Sequence, residues 1–256
     1  MTATAARLTA LGRAELTLLS RNRNNLFIAL LMPVLMIFLL RQSLSGLDDD
    51  KVPMGIGGAT LVGGTGMVLM LVVYMSLVST LVARRDELVL KRLRTGEARD
   101  IEILAGGALP ATVIALVQCA VLTVAGPFAL DTAAPDRPDL LILGVLGGIV
   151  LLAALATVTT VITRSVESAG LTTLPFFLVS SVGSGLMLPA GSLPDPLAAV
   201  CSLLPLSGVM DLIRAGWLGV AEVGAKDLLG AGITTVAWIV LSVFAVQRWF
   251  RWEPRR

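Results

Sequence analysis

The stretch Ala83–Leu104, ARRDELVLKRLRTGEARDIEIL, decides how this chain is read, because it separates two long uncharged runs with the densest charge in the sequence. Arg84, Arg85, Lys91, Arg92, Arg94 and Arg99 alternate there with Asp86, Glu87, Glu97, Asp100 and Glu102. Leu88, Leu90, Leu93, Ile101, Ile103 and Leu104 supply apolar faces between the charges. A segment this polar does not cross hydrocarbon, and the runs on either side of it do not stay in water. The pattern predicts a helix at the inner membrane surface, suited to docking another protein and to receiving mechanical work from it.

Working outward, the 256 residues are 55% hydrophobic and only 15% charged, well below the roughly 25% charge of soluble domains. Apolar runs spread from Leu26 to Val246 and leave little room for a separate soluble core. The expectation is one all-helical integral membrane domain rather than an anchored globule. Histidine is absent, which removes the usual zinc sites, Ser-His-Asp and Cys-His machinery, and imidazole proton relays. The two cysteines, Cys119 and Cys201, have no paired-motif spacing and read as small apolar residues.

A span needs roughly 20 apolar residues to cross about 30 Å of hydrocarbon. Six segments meet or approach this: Asn24–Leu44, Met54–Ala83, Ala105–Leu130, Leu140–Thr163, Leu171–Leu188 and Leu228–Gln247. The first has a short apolar core, Leu26–Leu40, so Arg41 must snorkel to the far interface. The long basic stretch before it, and Arg41 rather than a small residue after it, argue against a cleaved leader.

Lysine and arginine set the orientation, since they are retained on the cytoplasmic side. Fifteen of the twenty lie in the N-terminal arm (Arg7, Arg13, Arg21, Arg23), the Ala83–Leu104 segment, Arg164, and the tail (Arg248, Arg251, Arg255, Arg256). The opposite side keeps Arg41, Lys51, Arg137, Arg214 and Lys226 beside acidic loops such as Asp48-Asp49-Asp50. Both termini are therefore expected in the cytosol, with Trp249, Phe250 and Trp252 as an interfacial anchor.

Residues 1–23 form an arm too polar to cross, in which Leu8, Leu11, Leu18 and Leu19 make a stripe opposite Arg7, Arg13, Thr17 and Arg21. It is expected to lie along the inner surface as an amphipathic helix. Glu15 falls inside that leucine stripe, either bending to the headgroups or contacting the charged segment after the second span.

No charged residue lies near the centre of any expected span, so proton coupling has no obvious handle. Polar residues within spans are mild, among them Thr60, Thr65, Tyr74, Ser76, Ser79, Thr80, Gln118, Ser180, Ser181 and Ser184. Gly55, Gly57, Gly58, Gly63, Gly64 and Gly66 crowd the outer half of the second span, as a close packing surface or a flexible gate. Pro33 and Pro175 interrupt backbone bonding in the first and fifth spans. Residues 189–227 are too apolar for a solvated loop, while Pro194, Pro196 and Pro205 limit continuous helix. Short helices or a re-entrant hairpin are expected there, followed by an amphipathic turn carrying Asp211 and Arg214.

Two regions carry a resemblance to the ABC type-2 transporter permeases, and within them to bacterial drug and antibiotic exporters. After the second span such permeases have the pattern R-[ED]-x-G-T-L-x-x-L followed by a break. Here it is Arg85-Asp86-Glu87-Leu88-Val89-Leu90-Lys91-Arg92-Leu93, with the break at Gly96 and with Leu88 where glycine is usual. The proline often found after this helix is missing, and Gly106-Gly107 lacks the basic residue that commonly follows. Before the last span they have P-[LF]-x-x-x-x-x-x-[LI]-R, matched by Pro205-Leu206 through Ile213-Arg214. The order and sidedness of the two motifs, with the amphipathic arm ahead, extend the likeness over nearly the whole chain.

The resemblance implies the type-2 exporter fold: residues 24–250 as a six-helix permease domain with a coupling segment at 84–104, short extracellular helices at 189–227, and a cytosolic tail at 251–256. It implies a multi-pass protein of the bacterial plasma membrane that pairs with a second permease, as a homodimer rather than a heterodimer. Two copies of a separate ABC ATPase would drive it, with ATP and Mg held there and no cofactor, metal or nucleic acid on this chain. Arg85, Asp86, Glu87, Leu90, Arg92 and Leu93 would engage the ATPase. Thr65, Met70, Tyr74, Phe176, Phe177 and Ser180 would line the path of an amphipathic drug-, antibiotic- or lipid-like solute, and Pro205, Asp211 and Arg214 would mark the outer segment. No G-x-x-x-x-G-K-[ST] phosphate loop is present: Gly219 to Lys226 fails the spacing and lies on the outer side. The rival reading is an ATP-independent channel or facilitator in which the charged segment is only a solvated loop. An intramembrane transferase is disfavoured by the absence of histidine and of a central carboxylate pair.

Overall fold

A computed structural model describes residues 17, 31, 35, 38, 39, 41, 42, 55–96, 99–186, 194–220, 224–250 and 252. All regular structure among them is helical: α1 (Gly55–Asp86), α2 (Val89–Arg94), α3 (Asp100–Leu130), α4 (Pro138–Thr159), α5 (Val166–Gly183), α6 (Asp195–Cys201), α7 (Pro205–Leu218) and α8 (Ala225–Trp249). Five of these, α1, α3, α4, α5 and α8, are long and apolar enough to cross a membrane. The first expected span, Asn24–Leu44, lies outside the described residues apart from isolated positions, as do the N-terminal arm and the tail.

The observed ends differ from the expected ones where side chains cap the helices. The third span begins not at Ala105 but at Asp100, because the Arg99 N–H donates to the Glu102 carboxylate at 3.0 Å. Asp100 and Glu102 also place negative charge at the positive end of the helix dipole. The charged segment's last residues thereby become the first turn of a span. The fourth span stops at Thr159 rather than Thr163. The fifth then starts at Val166, where Ser165 and Ser168 exchange side-chain and backbone hydrogen bonds in a capping box.

Within α1 the residues Leu69–Met75 form a π-helical segment, and the Ser76 N–H reaches back to the Leu71 carbonyl. Nothing in the apolar pattern predicts it. The segment is the hub of the bundle, packed against α3, α4 and α5, with Leu69, Met70, Val72, Val73 and Tyr74 buried. Opposite it, Gly148 of α4 leaves room for Leu69 and for Val209 of α7, where a Cβ would come within 2.8 and 2.9 Å.

The segment before the last span is not a surface loop. Eleven of the fourteen residues of α7 are buried, and the helix wedges between α4 and α8. Small residues permit this approach. A Cβ on Gly216 would lie 2.6 Å from the Leu141 backbone nitrogen, and one on Gly208 would lie 2.5 Å from the Ala231 carbonyl. Gly66 of α1 likewise serves packing: a Cβ there would meet Leu186 at 2.2 Å and Met210 at 2.7 Å.

Candidate functional site

The charged end of α1 is built around a buried guanidinium. Leu77, Leu81 and Arg85 recur at helical spacing on the inward stripe, so Arg85 is carried inside and is only 2% exposed. Its Nη1 donates to the Thr160 carbonyl at 2.8 Å, and its Nη2 donates to those of Thr163 at 2.9 Å and Arg164 at 3.3 Å. Asp86 stands 3.5 Å from Nε. These carbonyls belong to the end of α4 and the turn into α5, where the helix dipole is negative and backbone acceptors lack intrahelical donors. A planar five-donor fork suits that cluster, as a lysine would not. Arg85 thus ties the charged end of α1 to the α4–α5 turn.

Three residues further on the chain breaks. Leu88 takes a left-handed conformation, φ 59° and ψ 15°, which ends α1 and aims α2 in a new direction. The expected continuous helix from Arg85 to Leu93 is therefore two helices, and the break sits where the family pattern carries glycine. Asp86, Glu87, Leu88, Lys91 and Arg92 are exposed around it, Leu93 is half-buried, and Leu90 is buried at 1% exposure. Of the six residues expected to engage a partner, three (Asp86, Glu87 and Arg92) share the outer face of this elbow. Arg85 and Leu90 instead anchor the elbow from within.

The six residues expected to line a path are not brought together on an open wall of this chain. Thr65, Met70 and Tyr74 are at most 1% exposed, and Thr65 bonds the Leu61 carbonyl. Tyr74 meets α5 and α4: its ring lies 4.7 Å from that of Phe176, and its hydroxyl is 3.0 Å from Thr159 Oγ1. Since Thr159 already donates to the Leu155 carbonyl, the tyrosine is the donor. Phe177 is half-buried, while Ser180 is buried with no partner for its hydroxyl among the described residues. The outer motif is also internal: Pro205 begins α7, and Arg214 pairs with Asp211 at 2.5 Å and reaches the Ser184 carbonyl at 3.3 Å. Among the described residues no group of three metal-ligating side chains is assembled.

The sequence reading missed the guanidinium lock and the π-helical hub. The 77–81–85 spacing could have exposed the first; periodicity carries no signal for the second.

Five helices long and apolar enough to cross a membrane, with the densest charge held in the turns at Ala83–Leu104, are the build of a multi-pass helical membrane protein. Residues 42–244 match the family described as ABC-2 family transporter protein. The chain belongs to that family, as the permease subunit of an ABC transporter, a membrane transport component that is not itself catalytic. No curated protein matches the chain significantly.

Proposed function

We propose that this chain is the membrane half of an ATP-driven exporter in the bacterial plasma membrane, with both termini in the cytosol. Two copies would pair, and two copies of a separate ATPase, holding ATP and Mg, would grip the Asp86–Arg92 elbow from the cytosol. The observation that carries this reading is the Arg85 lock. A push on the elbow acts at once on α1 and on the α4–α5 turn, because the guanidinium holds the two together at one point. Rigid helices then pass the displacement toward the π-helical hub. The solute is an amphipathic drug-, antibiotic- or lipid-like molecule, in keeping with described spans that offer aromatic and hydroxyl groups and carry no charged residue near their centres. Its path follows α1 and α5 where the two copies meet, near Phe176 and Phe177.

The test is co-purification with the cognate ATPase and solute-stimulated ATP hydrolysis in reconstituted vesicles. Reversing Glu87 and Arg92 together is expected to abolish ATPase binding while leaving the permease folded. Full binding after that reversal, or uphill transport by the permease without any ATPase, would overturn the proposal.

A further inference from the structure

A cleft of about 820 Å³ opens between α3, α4 and α8, within the roughly 300–1,000 Å³ of sites that hold small molecules. It exists because α3 and α8 both lean on α4 without packing substantially on each other. Its wall on α3 runs from Asp100 to Thr112, about 18 Å at 1.5 Å per residue. That is close to the depth of one leaflet, half of about 30 Å of hydrocarbon plus the glycerol layer. The cleft is open sideways: Ile101 and Val150 on its walls are 64% and 50% exposed. Only its mouth is charged. There Arg94 Nε lies 3.2 Å from Asp100 Oδ1, both side chains about half exposed, and the Arg94 guanidinium sits 4.9 Å over the Trp252 ring.

We propose that this cleft is a binding site for one glycerophospholipid with a zwitterionic headgroup carrying a primary ammonium. Charge complementarity selects the occupant. Arg94 offers a phosphate two parallel N–H donors, and Asp100, its immediate neighbour, takes the ammonium. Trp252 fills the interfacial position that amphipathic rings favour, and one acyl chain lies along Ile101, Ala105 and Val150. An apolar helix from a second copy would instead take the half-exposed Arg94–Asp100 pair out of water without supplying any further donor or acceptor. This inference does not depend on the direction or fuel of transport, since a resident lipid is held whether or not solute moves.

The full chain, stripped of lipid in detergent, is titrated with phosphatidylethanolamine and separately with phosphatidylglycerol, and bound lipid is counted by native mass spectrometry. The expected result is one phosphatidylethanolamine per chain, bound at least about fivefold more tightly than phosphatidylglycerol. Ala105→Trp, at an exposed position in the cleft, fills the trough and weakens that binding about tenfold. Arg94→Gln weakens both lipids, and Asp100→Asn removes the preference between them. Thermal melts establish that each variant is folded; if Arg94→Gln is not, Ala105→Trp decides. Equal affinity for the two lipids in the wild type, or undiminished binding in Ala105→Trp, overturns the proposal. So does an Ala105→Trp protein that keeps its lipid but loses its dimer, which would make the cleft a seat for a second copy.

Discussion

Two neighbouring helices, α7 and α8, invert the usual relation between crossing a membrane and being buried. α7 is too short to span, yet eleven of its fourteen residues are enclosed by protein. α8 is long and apolar enough to span, yet Leu229, Ile233, Val236, Val240 and Phe244 form a stripe along it that is 60–71% exposed. Both are apolar, so hydrophobicity does not distinguish them. Lipid tails are as apolar as a protein core, and what separates the two environments is how closely backbones approach. Gly208 and Gly216 let α7 come to within van der Waals contact of its neighbours, while a Cβ on Gly230 of α8 would meet nothing within 4 Å.

The sharpest break of that contrast is Gly216→Leu. No side chain fits against the Leu141 backbone, and the substitution is expected to cost about 3 kcal/mol, read as a lowered melting temperature in detergent. Next is Arg85→Met, which extends the contrast to polar packing. It leaves the carbonyls of Thr160, Thr163 and Arg164 without their donor and should cost about 2 kcal/mol. Amide hydrogen exchange over residues 160–165 should rise in step.

A gain is expected from Leu88→Gly. The present residue holds a positive φ of 59°, a conformation that penalises a Cβ by roughly 1–2 kcal/mol, so glycine should stabilise the elbow by about 1 kcal/mol after its own entropy cost. The smallest effect belongs to Gly230→Leu, which faces open space. Its melt should be unchanged or raised by up to about 0.8 kcal/mol of helix propensity. A clear loss there would mean that another chain, rather than lipid, covers this face of α8.

The parts of this molecule that were legible in its residues are those governed by local transfer energy. The runs at Met54–Ala83, Ala105–Leu130, Leu140–Thr163, Leu171–Leu188 and Leu228–Gln247 each correspond to a helix, with ends displaced by a few residues where Glu102 and Ser165 supply caps. The outer segment was recognisably too apolar for a loop, and two short helices, α6 and α7, occupy part of it. The site was less legible. Arg85 read as one charge among six on a surface, because sign and spacing do not tell which face of a helix meets protein. The suggested path residues Thr65, Met70 and Tyr74 were chosen for position along a span, and three-dimensional packing turned them inward.

By itself, then, the amino-acid order determined that the chain suits a bilayer and which of its described stretches are long and apolar enough to cross one, since both follow from the cost of moving side chains between water and hydrocarbon. Which apolar faces look at protein and which at lipid was decided only by tertiary structure, as were the π-helical turn at Leu69–Met75 and the burial of Arg85. The two destinations have nearly equal transfer energy, and the choice rests on contacts between residues far apart in the chain: glycine against backbone, and a guanidinium against the carbonyls of a helix end.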